Sequence, residues 1–282
     1  ETLEQIWRKE RDPVEKAVLQ GVILAIHLIS ECHRLLRLAL ISDIHGNLCA
    51  LDAVLDELKK NSIESVVCLG DVAATGPQPR ETLQRLKTSN VRVVMGNKDQ
   101  LLLGEIEPRK SVQDEEMQKI SEIDLWCASQ LTSEDKEFMK SFSKTVSVYL
   151  SGEDSLLCFH GSPNSNVDLI TSKTPDDDLR KMLSGAMAKI MAGGHSHVQM
   201  LRHYGSTMLI NPGSVGQAIQ RVPGSSEVRH LPWAEYAIVE SDGDGFPLKV
   251  EFFRKRYDRS KLVSAARESG MPHWRWWATR GE

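Results

Sequence analysis

The sequence predicts an α/β protein built on mixed sheet, and three observations predict it. Apolar runs of strand length alternate with amphipathic helical patterns in the first third of the chain, strand-like runs dominate the second half, and polar residues recur where one apolar run after another ends.

In chain order, LRLALI (36–41) reads as the first strand and the pattern from Leu48 to Lys60 as the helix after it. SVVCLG (65–70) precedes a second helix from about Arg80 to Lys87, and VRVVMG (91–96) is the third strand. Strands alternating with helices imply a parallel or mixed sheet covered on both faces. From about Leu101 to Ser143 charged helical segments take over, which we read as an inserted helical cap. Within it, LTSED (131–135) offers Thr132 as an N-cap with Asp135 three positions on, a near-match to the capping box. TVSVYL, SLLCFH, KIMAGG, STMLIN, AEYAIVE and LKVEFF follow as strands, expected to form a second sheet, and a helix from about Arg259 to Ser269 comes after them.

The chain has 282 residues, 40% of them hydrophobic and 26% charged, enough to bury a large core as one domain with additions. A formal net charge of −4 disfavours a whole-surface nucleic-acid footprint. Five scattered cysteines without CxxC spacing suggest neither a disulfide framework nor a zinc ribbon, so a reducing, cytoplasmic setting is expected. The apolar stretch AVLQGVILAIHLI (17–29) is shorter than the roughly 20 residues of a membrane helix and carries Gln20 and His27. It reads as part of an N-terminal helical extension (1–35) packing on the domain or on a second copy, with His27 and His33 as packing or surface residues. HWRWWATR (273–280) opens a Trp-rich tail (273–282), expected to dock on its own domain or a dimer partner.

The chemistry lies at the strand ends. Asp43 and His45 follow the first strand, Gly70-Asp71 the second and Gly96-Asn97 the third; His160 closes SLLCFH, and His195 and His197 follow KIMA. Any one of these is commonly a helix cap or a satisfied structural histidine. In open α/β sheets, however, residues beyond the carboxyl ends of strands converge on one crevice, so seven of them together mark a site. Imidazole with carboxylate suits divalent transition metals, and two such ions lower the pKa of a bridging water and clamp the oxygens of a displacement at phosphorus. Asp71, expected on the central strand, is the natural bridging carboxylate.

DIHGN (43–47), GD (70–71), GNKD (96–99), FHG (159–161) and GHSH (194–197), with GPQPRE (76–81), INPGSVGQ (210–217) and RYDRSKLVSAARESGMP (256–272), resemble the calcineurin-like metallophosphoesterases. The similarity runs from about Leu36 to Pro272, which we take as the domain. It implies a four-layer sandwich, two mixed sheets face to face and flanked by helices. It also implies two divalent ions, manganese being expected and iron, zinc, nickel or cobalt the alternatives. By the resemblance Asp43, His45 and His197 hold one ion, Asn97, His160 and His195 the other, and Asp71 bridges them.

The implied catalytic set is Asp71, Asn97 and Lys98, and Lys98 is the departure. Where the family often has a histidine that protonates the leaving group, a solvated lysine is a poor proton donor at neutral pH. Esters with good leaving groups should suffer least. Asp99 is expected either to accept a hydrogen bond from a histidine ligand or to cap the helix near Gln100, and Asn211, Pro212 and Gly213 to turn toward the metals, with a smaller chance that Ser214 or a backbone amide there touches substrate. The expected activity is hydrolysis of a phosphomonoester or phosphodiester, on a small molecule or a phosphoprotein. A nuclease or a binding scaffold of the same fold, such as a retromer subunit, is the alternative, and a homo-oligomer through the N-terminal helix or the tail is a further expectation.

Overall fold

A computed structural model describes residues 36–104, 114–151, 154–186, 188–221, 228–241 and 247–280. The N-terminal extension, with its apolar stretch, His27 and His33, lies outside these. No helix among the described residues is long and apolar enough to cross a membrane.

The first sheet has the order β12-β11-β1-β2-β3, formed by Pro247–Lys255, Ala234–Ser241, Leu36–Ile41, Ser65–Cys68 and Arg92–Val93. β1, β2 and β3 run parallel, and β11 and β12 add antiparallel strands on the other side of β1. The second sheet has the order β4-β5-β6-β8-β7, formed by Val146–Ser151, Asp154–Cys158, Ile190–Ala192, Thr207–Asn211 and Met200–Tyr204. A short hairpin pairs β9 (Ile219–Arg221) with β10 (Val228–His230).

Two expectations are corrected. AEYAIVE and LKVEFF do not join the second sheet; they return to the first, because β1 is buried on both sides and both its edges need partners. β1 is consequently the central strand, and Asp71 follows its neighbour β2.

Alternation along the strands explains the layers. Leu38 and Leu40 of β1 face Leu156, Ile190 and Ile210 of the opposite sheet, forming one core between the sheets. Ala39 and Ile41 point the other way, into a core with Leu51, Val54 and Leu58 of α1 (Leu48–Lys60) and Leu83 and Leu86 of α2 (Pro79–Thr88). Leu157, Met191 and Leu209 pack beneath Leu179 of α6 (Asp176–Met182). The arrangement is the four-layer sandwich the motifs imply.

The expected helical insertion contains α4 (Glu115–Gln130) and α5 (Ser133–Lys140), after the short α3 (Asn97–Leu102). Thr132 caps α5 as expected: Asp135 N donates to its hydroxyl at 3.2 Å, and Asp135 accepts from Thr132 N at 2.9 Å. The chain continues through α7 (Arg259–Glu268) into α8 (Trp274–Thr279), where Trp277 and Ala278 are buried in the helix-side core of the first sheet.

Candidate metal centre

Five loops carry the candidate residues, each leaving the carboxyl end of a parallel strand: β1, β2 and β3 in one sheet, β5 and β6 in the other. Asp43, His45 and His197 form one group of ligand atoms, Asp71, His160 and His195 another, every atom of a group lying within 4.8 Å of the rest. Asn97 joins the second group through its Oδ1, 3.0 Å from His160 Nε2. The seven residues read from the strand ends therefore meet in one place.

The backbone is strained to bring them there. Asp43, His45, Asp71, His195 and His197 all have φ between 49° and 64°, the left-handed region that non-glycine residues rarely occupy. Glycines make room: a Cβ on Gly96 would collide with Asp71 Oδ1, and one on Gly194 with Ser42 Oγ.

Hydrogen bonds fix the imidazoles. His45 Nδ1 donates to Ala74 O at 3.1 Å, His160 Nδ1 to Leu69 O at 2.7 Å and His197 Nδ1 to Gln217 O at 2.8 Å. Each carbonyl demands the proton on Nδ1, so each neutral ring turns the bare lone pair of Nε2 inward. His45 Nε2 and His197 Nε2 are then only 3.1 Å apart, and His160 Nε2 faces an acceptor, Asn97 Oδ1. Asp43 Oδ1 is buried with no hydrogen-bond partner, while Asp43 Oδ2 accepts from Ser42 Oγ at 2.6 Å and His195 N at 3.0 Å. Crowded lone pairs with an orphaned carboxylate oxygen have one common remedy, a cation between them, so this donor set fits bound metal.

The charges agree. Burial opposes ionisation of Asp43, but His197 carries its pKa down to about 2. Asp71 is likewise buried, yet His160 holds it below the usual carboxylate range. Burial and the neighbouring His197 depress His45 to about 4, and burial and His160 depress His195 to about 4. Against the cost of its own burial, the pull of Asp71 raises His160 to about 10.

Asp99 serves the helix and not a histidine: it caps the start of α3 by accepting from Gly96 N, from the third helical position and not as the N-cap residue. Its carboxylate accepts from the backbone amides of Asp71 (2.9 Å), Val72 (2.9 Å) and Gly96 (3.0 Å), locking the β2 loop to the start of α3, while burial and the Asp71 charge push its pKa up to about 7. Asn211 holds the GHSH loop, donating to Gly194 O at 2.7 Å, and Ser214 Oγ donates to Asp43 O at 2.7 Å. Lys98 gives its backbone N–H to Asp71 Oδ1 at 2.8 Å, and its ammonium pairs with the buried Asp124 of α4.

Sequence reasoning missed Thr75, Asp124 and Gln217. Thr75, at φ 65°, gives its hydroxyl to Asp124 at 2.6 Å, and its carbonyl accepts from Gln217 Nε2 at 3.0 Å and Trp277 Nε1 at 2.7 Å. No motif marks Thr75 or Asp124, and INPGSVGQ (210–217) contains Gln217 without showing its role, because each acts through a partner distant in sequence.

Fold and donor set define a metal-binding α/β sandwich protein. The chain belongs to the calcineurin-like phosphoesterase superfamily, whose domain description matches residues 36–231. It is similar to a metallophosphoesterase from Sphaerobacter thermophilus, with 25% identity, 87% of this chain and 97% of that one covered, and a TM-score of 0.63. PH1004 from Pyrococcus horikoshii OT3 shares the fold at a TM-score of 0.63 and 22% identity, over 84% of this chain and 94% of that one. The uncharacterised protein MJ0912 of Methanocaldococcus jannaschii is 28% identical over 255 residues, 84% of this chain and 94% of its own length.

Proposed function

We propose that this chain is a dinuclear-metal-dependent phosphoesterase that hydrolyses a phosphomonoester or phosphodiester of a small molecule or phosphoprotein. The observation that carries the reading is Asp71 Oδ2, which lies 3.9 Å from His45 Nε2 in one ligand group and 3.5 Å from His160 Nε2 in the other. One carboxylate oxygen facing both groups is what a bridging ligand requires. Asp43, His45 and His197 would hold one ion, Asn97, His160 and His195 the second, with manganese as the expected metal.

When bound, two divalent ions supply an activated water and positive charge for the phosphoryl oxygens. The chain's own part is positional. Carbonyl partners hold three imidazoles in the ligating tautomer, Asp99 fixes the loop that carries Asp71, and Lys98 adds positive charge at the rim. A scaffold without metal would keep the buried Asp43 Oδ1 without a hydrogen bond, with chiefly the charge of His197, whose Nε2 lies 3.3 Å away, to offset the cost.

The test is a panel of phosphate esters assayed with manganese, zinc, nickel and magnesium, and with chelator. Metal-dependent turnover that chelator abolishes is expected. Metal-bound protein inert toward every ester would leave the scaffold reading in its place.

A further inference from the structure

The tail that the motifs leave unexplained builds a cationic pocket against the metal centre. Gln217, His230, Tyr257, Arg259, Trp277 and Arg280 line a solvent-open cavity of about 40 Å³. One water needs roughly 10–15 Å³, so the space takes a group of a few heavy atoms, such as a phosphoryl.

Among the described residues its charges have no paired counter-charge. Among the described residues no carboxylate pairs with Arg259 or Arg280, and Glu116 reaches Arg280 only from a distance. Arg280 lies over Trp276 at 4.7 Å and Trp277 at 5.7 Å, and its Nε donates one long bond, 3.4 Å, to Trp277 O. Arg259 Nη2 donates to Ala278 O at 3.3 Å. A guanidinium carries five N–H donors in a planar fork, so most of the donors here remain for a ligand. Burial lowers Arg280 to about 10, which leaves it charged at neutral pH.

The pocket shares a wall with the metal site. Gln217 lines it, while the Gln217 carbonyl orients His197 at 2.8 Å. Trp277, also in the lining, donates to the same Thr75 carbonyl as Gln217, next in sequence to the Ala74 carbonyl that orients His45. The charges of His197 and His45 also reach His230.

We propose that Arg259, Arg280 and His230 form an anion subsite that receives a second phosphoryl group of the substrate, so that the preferred substrates carry two phosphoryl groups, as phosphoanhydrides and bisphosphates do. Arginine recognises phosphoryl oxygens bidentately, and a desolvated fork without a carboxylate is suited to that task. The proposal rests on the phosphoesterase reading for its catalytic consequence.

Two measurements test it. Inorganic pyrophosphate is titrated calorimetrically into metal-free protein at low salt; binding is expected, weakened about 10- to 100-fold by Arg280→Met or Arg259→Met, the loss typical of charged hydrogen bonds. With manganese-loaded protein, adenosine 5′-diphosphate should show a lower KM than adenosine 5′-monophosphate. Either variant should erase that preference while changing p-nitrophenyl phosphate turnover less than about 3-fold. Arg259→Met decides the matter if Arg280→Met does not fold. Unchanged pyrophosphate binding, or equal losses on all three substrates, overturns the subsite. If no ester is hydrolysed at all, the phosphoesterase reading fails, while pyrophosphate binding still reports on the pocket.

Discussion

Lys98 Nζ lies 2.5 Å from Asp124 Oδ2, joining the loop of the metal centre to the helical insertion. Asp124 is 1% exposed and Lys98 24%, so this is an ion pair with one member fully desolvated. Removing the ammonium leaves Asp124, among the described residues, with the Thr75 hydroxyl alone. We predict that Lys98→Met lowers stability by about 3 kcal/mol, the lower end for a broken buried pair because Lys98 is partly solvated. Lys98→Met combined with Asp124→Leu should recover most of that loss. Urea unfolding of the two single variants and the double variant measures the coupling, and strictly additive losses would deny it.

The same pairing bears on leaving groups. A lysine committed to Asp124 offers no positioned proton to a departing alkoxide. Aryl esters such as p-nitrophenyl phosphate should turn over far faster than alkyl esters. Lys98→His should raise alkyl-ester turnover by up to the roughly 10²- to 10⁴-fold of a positioned general acid, with little change for aryl esters. A series of esters graded by leaving-group pKa provides the check, and a flat dependence in the parent protein would count against it.

Stability should fall in mild acid partly through His230. Burial, then the charge of Arg280, lower its pKa to about 3 in the folded chain, against about 6.5 when unfolded. Between those values the unfolded chain binds a proton that the folded chain refuses, so this group's contribution is present above pH 6.5 and is lost as pH falls toward 3. The slope from one group is at most about 1.4 kcal/mol per pH unit. Thermal unfolding of the parent and His230→Gln from pH 7 to 4 should show a flatter profile in the variant; parallel profiles would refute the assignment.

The candidate metal ligands were legible because the chain sets them where physics makes them conspicuous. Asp43, His45, Asp71 and His160 are polar residues ending apolar strands, at positions that packing alone would leave apolar. The strands β1, β2, β5 and β8 were equally plain. The hairpin β9–β10 was not, since its strands are short, and in β7 Leu201 points outward at 48% exposure, blurring the alternation. α6 begins with three aspartates and buries only Leu179, too little apolar periodicity to read. The homes of Lys98 and Trp277 were hidden for another reason: Trp277 and Thr75 are 202 residues apart, and a side chain's composition does not name its partner.

The most direct test of the account is the metal content of the chain. After loading with manganese and removal of excess ion, elemental analysis should find two ions per chain. Asp71→Asn should disturb both ligand groups, bringing the content below one and cutting phosphoester turnover by more than about 10²-fold, beyond what losing an outer-sphere partner costs. A single ion in the parent protein, or an Asp71→Asn variant that keeps both ions and full activity, would contradict the bridging role on which the dinuclear centre depends.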